Sequence, residues 1–429
     1  MQYYSTKREV APVSFREAVI KGLPDDNGLY MPESIHKLPQ EFFNNLRSKS
    51  LAEIGLTVAA PLVSEDIPQA ELEQIISDTL NFDIPANKVK DNIYALELFH
   101  GPTLAFKDVG ARFLARCLSY FSKDESQKVT VIVATSGDTG SAVAHGFLGV
   151  ENVDVVILYP KGKVSYLQEK QLTTLGQNIT ALEIEGTFDD CQRLVKSAFL
   201  DKELNQKMKL TSANSINIAR LIPQSFYYYW AQAQLSGQDL VFSVPSGNYG
   251  NLTAGLLAKK MGLAIKGFVA SSNANDIVPK YLKTGNYAPT ASVSTISNAM
   301  DVGNPSNFYR LQEIYGHSWD NVIKDIKGYS FTDAETKEAM KAVHDETGYV
   351  LDPHGAVGYL GLQKYLSNNK NVTGVFLETA HPSKFKDTVE EVIGTVDIPE
   401  RLAKYASLEK KSKEMSADFN EFKSYLMGR

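Results

Sequence analysis

Short apolar runs rich in β-branched residues recur along the chain, separated by stretches whose apolar residues return every three or four positions. The runs are KVTVIVAT (128–135), DVVILYP (154–160), NITALEIEG (178–186), LVFSVPSG (240–247), AIKGFVAS (264–271) and TGVFLETA (373–380). Helical patterns such as SYLQEKQLTTLG and DDCQRLVKSAFL lie between them. Strands alternating with helices predict βαβ units and mostly parallel sheets, an α/β fold. Residues 1 to about 95 read as a helical unit instead. There VSFREAVIKGLPDDNGLYMPE predicts a helix ended by Gly22 and Pro24, then a turn with Asp25, Asp26 and Gly28. The last 30 residues, rich in Lys and Glu, read as a helical tail.

Length and composition narrow this picture. A chain of 429 residues predicts two or three domains. A net charge of -6 with no basic arm excludes nucleic acid as a partner. No run is long enough to cross a bilayer, and MQYYSTKREV lacks the pattern of a secretory signal, so the expected compartment is the cytoplasm. Cys117 and Cys191 form no CxxC pair and read as core fillers, and the seven histidines give no HExxH. No metal site, Walker A loop or GxSxG elbow is present in the sequence.

Ligands of such sheets sit at the carboxyl ends of strands, so the strand-end loops carry the chemistry. VATSGDTGSAVAHG (133–146) supplies Thr135, Ser136, Gly137, Thr139, Gly140 and Ser141, small residues that let backbone N–H groups approach an anion before a helix start. Asp138 in its middle is out of place in a loop that holds only phosphate. SVPSGNYGNLTAG (243–255) forms a second nest with Ser246, Gly247, Asn248, Tyr249, Gly250 and Asn251. LTSANSINIARLIPQ carries Asn214, Ser215, Asn217 and Arg220, suited to phosphate or carboxylate or to a capped helix. Lys161 and Lys163 follow a strand, where a solvated turn is the plain alternative, and Asp352, His354 and His381 read as loop staples.

Lys107 stands apart, in ELFHGPTLAFKDVGARFLARCL, where a loop turns into an apolar helix. Desolvation lowers a lysine pKa, and a neutral amine can form an imine with an aldehyde cofactor. Pyridoxal 5'-phosphate needs a phosphate nest, a partner for its ring nitrogen and a wall against the ring. SGNYGN, Thr379 and Phe106 are candidates for these.

HGPTLAFKD resembles the lysine signature of the fold type II pyridoxal-phosphate enzymes. YYSTK, TSGDTGSA, LTSANSINIARLIPQ, PSGNYGN, SNAMDVGNPSNF, DPHGAVG and ETAHPSKF occur in the order found in the threonine synthases with a long N-terminal domain, and the resemblance covers nearly the whole chain. It implies two open twisted sheets flanked by helices, plus a helical N-terminal domain. The implied domains are 1–95; 96–116 with 236–400 for the cofactor; a smaller mobile unit at 117–235; and a tail at 401–429.

The implied activity is a lyase that turns O-phospho-L-homoserine and water into L-threonine and phosphate, the last step of threonine biosynthesis. In it Lys107 would hold the cofactor and act as base, with Phe106 against the ring and Ser246, Gly247, Asn248, Tyr249, Gly250 and Asn251 around its phosphate. Thr379 would face the ring nitrogen, and Asp138 would lie near the phenolic oxygen, where relatives of this fold type often have Asn. Thr135, Ser136, Gly137 and Thr139 would clasp the substrate carboxylate, and Arg220, Asn214, Lys163 and Ser165 its phosphate. A dehydratase on the same cofactor, the alternative enzyme, needs no second phosphate site. A non-catalytic binding protein would not need Lys107. No obligate protein partner is expected.

Overall fold

The structure, a computed structural model, describes residues 1–123 and 127–429. Two parallel sheets organise it. The larger runs in the order Ile326–Ser330, Gly267–Ser272, Leu240–Pro245, Thr373–Glu378, Ile93–Glu97, Ala86–Lys90, and only its last pair is antiparallel. The smaller runs Ser412–Ser416, Ile179–Glu185, Val153–Pro160, Val129–Ala134, Lys209–Ser212, all parallel. Val129–Ala134, Leu240–Pro245 and Gly267–Ser272 are buried at every position. That is why they read as unbroken apolar runs: a parallel strand is covered on both faces.

The topology places the site. Leu240–Pro245 has Gly267–Ser272 on one side and Thr373–Glu378 on the other, so the strand order reverses there. Val129–Ala134 is the matching reversal of the smaller sheet, between Val153–Pro160 and Lys209–Ser212. Connections leave a reversal point in opposite directions and open a crevice at the strand ends. The two glycine loops and Thr379 all emerge at these two points.

Several expectations are corrected. The N-terminal unit is not helical throughout: Gln2–Ser5 pairs antiparallel with Val13–Ser14 and Tyr30–Pro32 beside the helices Phe15–Lys21, Leu51–Val63 and Gln69–Thr79. Ser14 and Glu17 close a capping box on the first of these, and Gly22 ends it. The Thr211 hydroxyl and the Asn217 amide both donate to the Val19 carbonyl, 3.1 and 3.0 Å away, and tie this unit to the floor of the crevice. Strand Ile93–Glu97 runs across the expected boundary at residue 95, and Ala86–Lys90, before that boundary, pairs with it in the larger sheet.

The C-terminal segment is not a helical tail. Ser412–Ser416 adds a strand to the edge of the smaller sheet, and the helix Phe419–Met427 buries Phe422 and Leu426 in the core cluster that also holds Leu158, Leu182 and Cys191. An edge strand exposes one face and one rim, so SKEMS carries charges and hides its period. Cys117 and Cys191 are buried free thiols, as expected.

Candidate active site

Lys107 opens the helix Lys107–Ser122, and the loop before it is pinned from both ends. The Asp108 carboxylate accepts from the Thr103 backbone N–H at 2.8 Å and from its hydroxyl at 2.6 Å. The Phe106 N–H donates to the Thr379 carbonyl at 2.8 Å, while the Phe106 carbonyl accepts from the Tyr227 hydroxyl at 2.5 Å. Leu104 takes a left-handed φ of 61° within this turn. These bonds fix where the lysine stands relative to the strand end at Thr379. Lys107 lines a cavity of about 840 Å³ and keeps some surface open to it. It is deep enough that burial lowers its amine below the usual lysine range; Asp138 opposes that shift, and Lys384 and Arg220 add to it.

The cavity is walled by both glycine loops. Gly247, Asn248, Tyr249, Gly250 and Asn251 line it, at the start of the helix Gly250–Lys260. A Cβ on Gly247 would lie 2.6 Å from the Met300 Cα, so only glycine lets the Asn298–Met300 turn close over this nest. Asn248 is held by the hydroxyls of Ser215 and Ser306, at 2.7 and 2.8 Å. Ser246 does not line the cavity; its hydroxyl donates to Asn251 at 2.7 Å and braces the loop.

On the opposite wall stand Thr135, Ser136, Asp138 and Thr139. The Thr135 hydroxyl accepts from the N–H groups of Gly137 and Gly140, at 2.9 and 2.8 Å. Gly137 has φ 140° and faces Gln168 too closely for any side chain; it shapes the loop without lining the cavity. Burial would raise the Asp138 carboxyl. The charge of Lys384, that of Lys107 whenever it is protonated, and hydrogen bonds from Lys384 and Gln168 outweigh burial and hold it well below the usual range.

Asn214 and Arg220 also line the cavity. Arg220 is buried; one guanidinium N–H donates to the Ala213 carbonyl, and its Nε has no partner. Burial brings this guanidinium down to about 10. The helix Ile218–Leu221 is capped by Asn217, whose side chain accepts from the Ala219 N–H, and Arg220 is left facing the cavity.

Lys163 and Ser165 are not brought to the cavity. Lys163 is exposed, and the Ser165 hydroxyl is bonded to Gln168 and the Lys384 carbonyl. Lys161 pairs with Glu414 at 2.7 Å on the smaller sheet's edge. His381 braces its own turn through Ser383, and Asp352 caps the helix Pro353–Leu366. His354, bonded to Asp352 at 2.6 Å, does line the cavity, as do Thr6, Lys7 and Met300. Sequence reasoning read His354 as a loop staple and gave the other three no role; STK and SNAM were visible but had no chemistry of their own to flag them.

Pyridoxal phosphate fits these residues. An amine disposed to be neutral, a glycine nest at a helix start that a Cβ would fill, and a buried guanidinium share one cavity. The fit agrees with the similarities to known proteins. Residues 74–377 match the family model described as pyridoxal-phosphate dependent enzyme, residues 2–80 that of the threonine synthase N terminus, and residues 355–426 that of the threonine synthase C-terminal region. The threonine synthase of Haemophilus influenzae is 49% identical over 432 residues, covering the whole of both chains. The crystal structure of Escherichia coli threonine synthase superposes with a TM-score of 0.94 at 43% identity over 100% of both chains. The PLP-bound threonine synthase of Brucella melitensis superposes with a TM-score of 0.93 at 35% identity, covering 100% of this chain and 99% of that one.

Proposed function

The chain belongs to the threonine synthase family of pyridoxal-phosphate-dependent enzymes, and from that premise we propose how its own residues turn O-phospho-L-homoserine and water into L-threonine and phosphate. Bound in the cavity, pyridoxal phosphate supplies a conjugated ring that takes up the electron pair left when Cα loses its proton. Lys107 would hold that group, Gly247, Asn248, Tyr249, Gly250 and Asn251 would cradle its phosphate, Thr379 would partner the ring nitrogen and Phe106 would lie against the ring. The free Lys107 amine takes the proton from Cα, passes it to the substrate phosphate and, neutral again, takes one from Cβ. Neutrality is what this role requires, because an ammonium accepts no proton. Thr135, Ser136 and Thr139 hold the substrate carboxylate at the helix start Asp138–Phe147.

Arg220 and Asn214 hold the substrate phosphate, and Arg220 stabilises the dianion as it leaves Cγ with the C–O electron pair. Lys107 then gives the proton taken from Cβ to Cγ, and water adds at Cβ, its remaining proton passing through Lys107 to Cα. Until that last step stray water must be excluded, a task we assign to closure of the smaller sheet's unit over the cavity. The cytoplasm is the compartment this reading assigns. The substrate is a small molecule; nucleic acid and an obligate protein partner have no place in the scheme.

The observation that carries the proposal is the shared cavity of Lys107, both glycine loops and a buried Arg220. A second phosphate site favours this chemistry over a dehydratase. The test is phosphate release from O-phosphohomoserine, with threonine identified by chromatography. A keto acid and ammonia as the products would overturn it.

A further inference from the structure

Behind the cavity wall lies an ion pair that the scheme above does not use. Lys384 follows the strand end at Thr379, and its side chain has no exposure. Its ammonium stands 2.7 Å from the Asp138 Oδ1 and donates to the Thr103 carbonyl at 2.8 Å. The Gln168 amide donates to the same Asp138 oxygen at 2.7 Å. Asp138 and Gln168 belong to the smaller sheet's unit; Lys384 and Thr103 belong to loops of the larger one. Asp138 lines the cavity, whereas Lys384 does not. Among the described residues, the ion pair is exclusive on both sides.

We propose that Lys384 is a positioning residue that neutralises Asp138 and thereby leaves Lys107 as the uncharged amine of the site. Two lysines and one carboxylate meet in a place with little water. A carboxylate there keeps its charge by holding one cation close. With Lys384 pinned to it by the Thr103 carbonyl, that cation is Lys384. Without Lys384, the cation would be Lys107, which would then be held as an ammonium. The other charged or titratable groups that bear on this trio do not replace Lys384. Arg220 adds positive charge beside Lys107, Asp352 is engaged with His354, Asp108 is satisfied by Thr103, and His145 is neutral at physiological pH. The relevant bias on the Lys107 amine has the same sign: Asp138 raises its proton affinity and Lys384 lowers it.

The inference rests on the proposed role of Lys107, but its test does not require turnover. Apoprotein is mixed with pyridoxal phosphate at a series of pH values, and uptake on Lys107 is followed by visible absorbance. The cofactor's own ionisations are common to all variants, so differences in midpoint belong to the protein. Lys384→Met should move the midpoint up by about one pH unit, making uptake roughly tenfold slower on the acid side of it. The double variant Asp138→Asn with Lys384→Met removes both charges and should return the midpoint to that of the parent. Asp138→Asn alone should move it down, and decides the matter if Lys384→Met does not fold by circular dichroism. A midpoint unmoved in Lys384→Met, or equally displaced in the single and double variants, overturns the proposal. Loss of threonine formation with these shifts intact would count against the proposed function instead.

Discussion

Lys107 stands where the Asp108 staple, the Thr379 carbonyl and the Tyr227 hydroxyl leave its loop a single course, so its chemistry depends on position as much as on type. Borohydride reduction of the protein loaded with pyridoxal phosphate should leave one cofactor adduct, on Lys107, by mass spectrometry; Lys107→Ala should show none and lose nearly all turnover. Gly247→Asp should weaken cofactor binding by at least tenfold in dissociation constant. It would drive a side chain against the Met300 backbone and place a negative charge in a phosphate nest. An equilibrium titration followed by absorbance decides it. Arg220 lines the cavity with a buried guanidinium, and a hydrogen bond to a charged group contributes about 1.5–3 kcal/mol. Arg220→Ala should therefore raise KM for phosphohomoserine roughly tenfold to a few hundredfold while cofactor absorbance stays normal. Competitive inhibition by inorganic phosphate should weaken in parallel, and unchanged affinity for both would make Arg220 a structural residue.

Among elements, the C-terminal strand and helix show where the pattern along the chain was hard to read. Phe422 is fully buried in the smaller core, beside residues more than two hundred positions earlier in the chain. Phe422→Ala should cost about 3–5 kcal/mol by leaving a cavity, seen as a lower denaturant midpoint for the smaller unit. A loss below about 1 kcal/mol would mean the helix Phe419–Met427 is no more than a tail. The central strands announced themselves because burial on both faces demands apolar residues at every position. Ser412–Ser416, Ala86–Lys90 and Ile326–Ser330 lie at sheet edges and carry charges that break the period. Lys209–Ser212 has four residues, too few to show a period. The glycine loops were legible because each follows a strongly apolar strand. Lys163 and Ser165 misled because proximity to a strand end in sequence does not say which way the following turn faces.

For the whole molecule, burial lowers both His145 and His381 to about 4. Unfolded, each imidazole titrates near ~6.5. Between these values the unfolded chain binds protons that the folded one refuses, so this contribution is complete above about pH 6.5 and falls away as the solution is acidified toward pH 4. Each group contributes a slope of at most about 1.4 kcal/mol per pH unit. His145→Gln should flatten the decline between pH 6.5 and pH 4, measured by urea unfolding at fixed ionic strength; an unaltered slope would remove His145 from the account.

What the sequence by itself determined was the α/β class, the two glycine loops before helix starts, the lysine at the head of an apolar helix, and the family. Those depend on local pattern: apolar runs, glycines before helix starts, and motifs whose residues are neighbours in the chain. The tertiary structure alone decided that both loops open at strand-order reversals on one crevice, that Thr6 and Lys7 line it, and that Lys384 stands beside Asp138 while Lys163 stays exposed. Pairings of this kind join residues hundreds of positions apart, and they follow from strand order and the direction of each turn, which the period of a sequence does not encode.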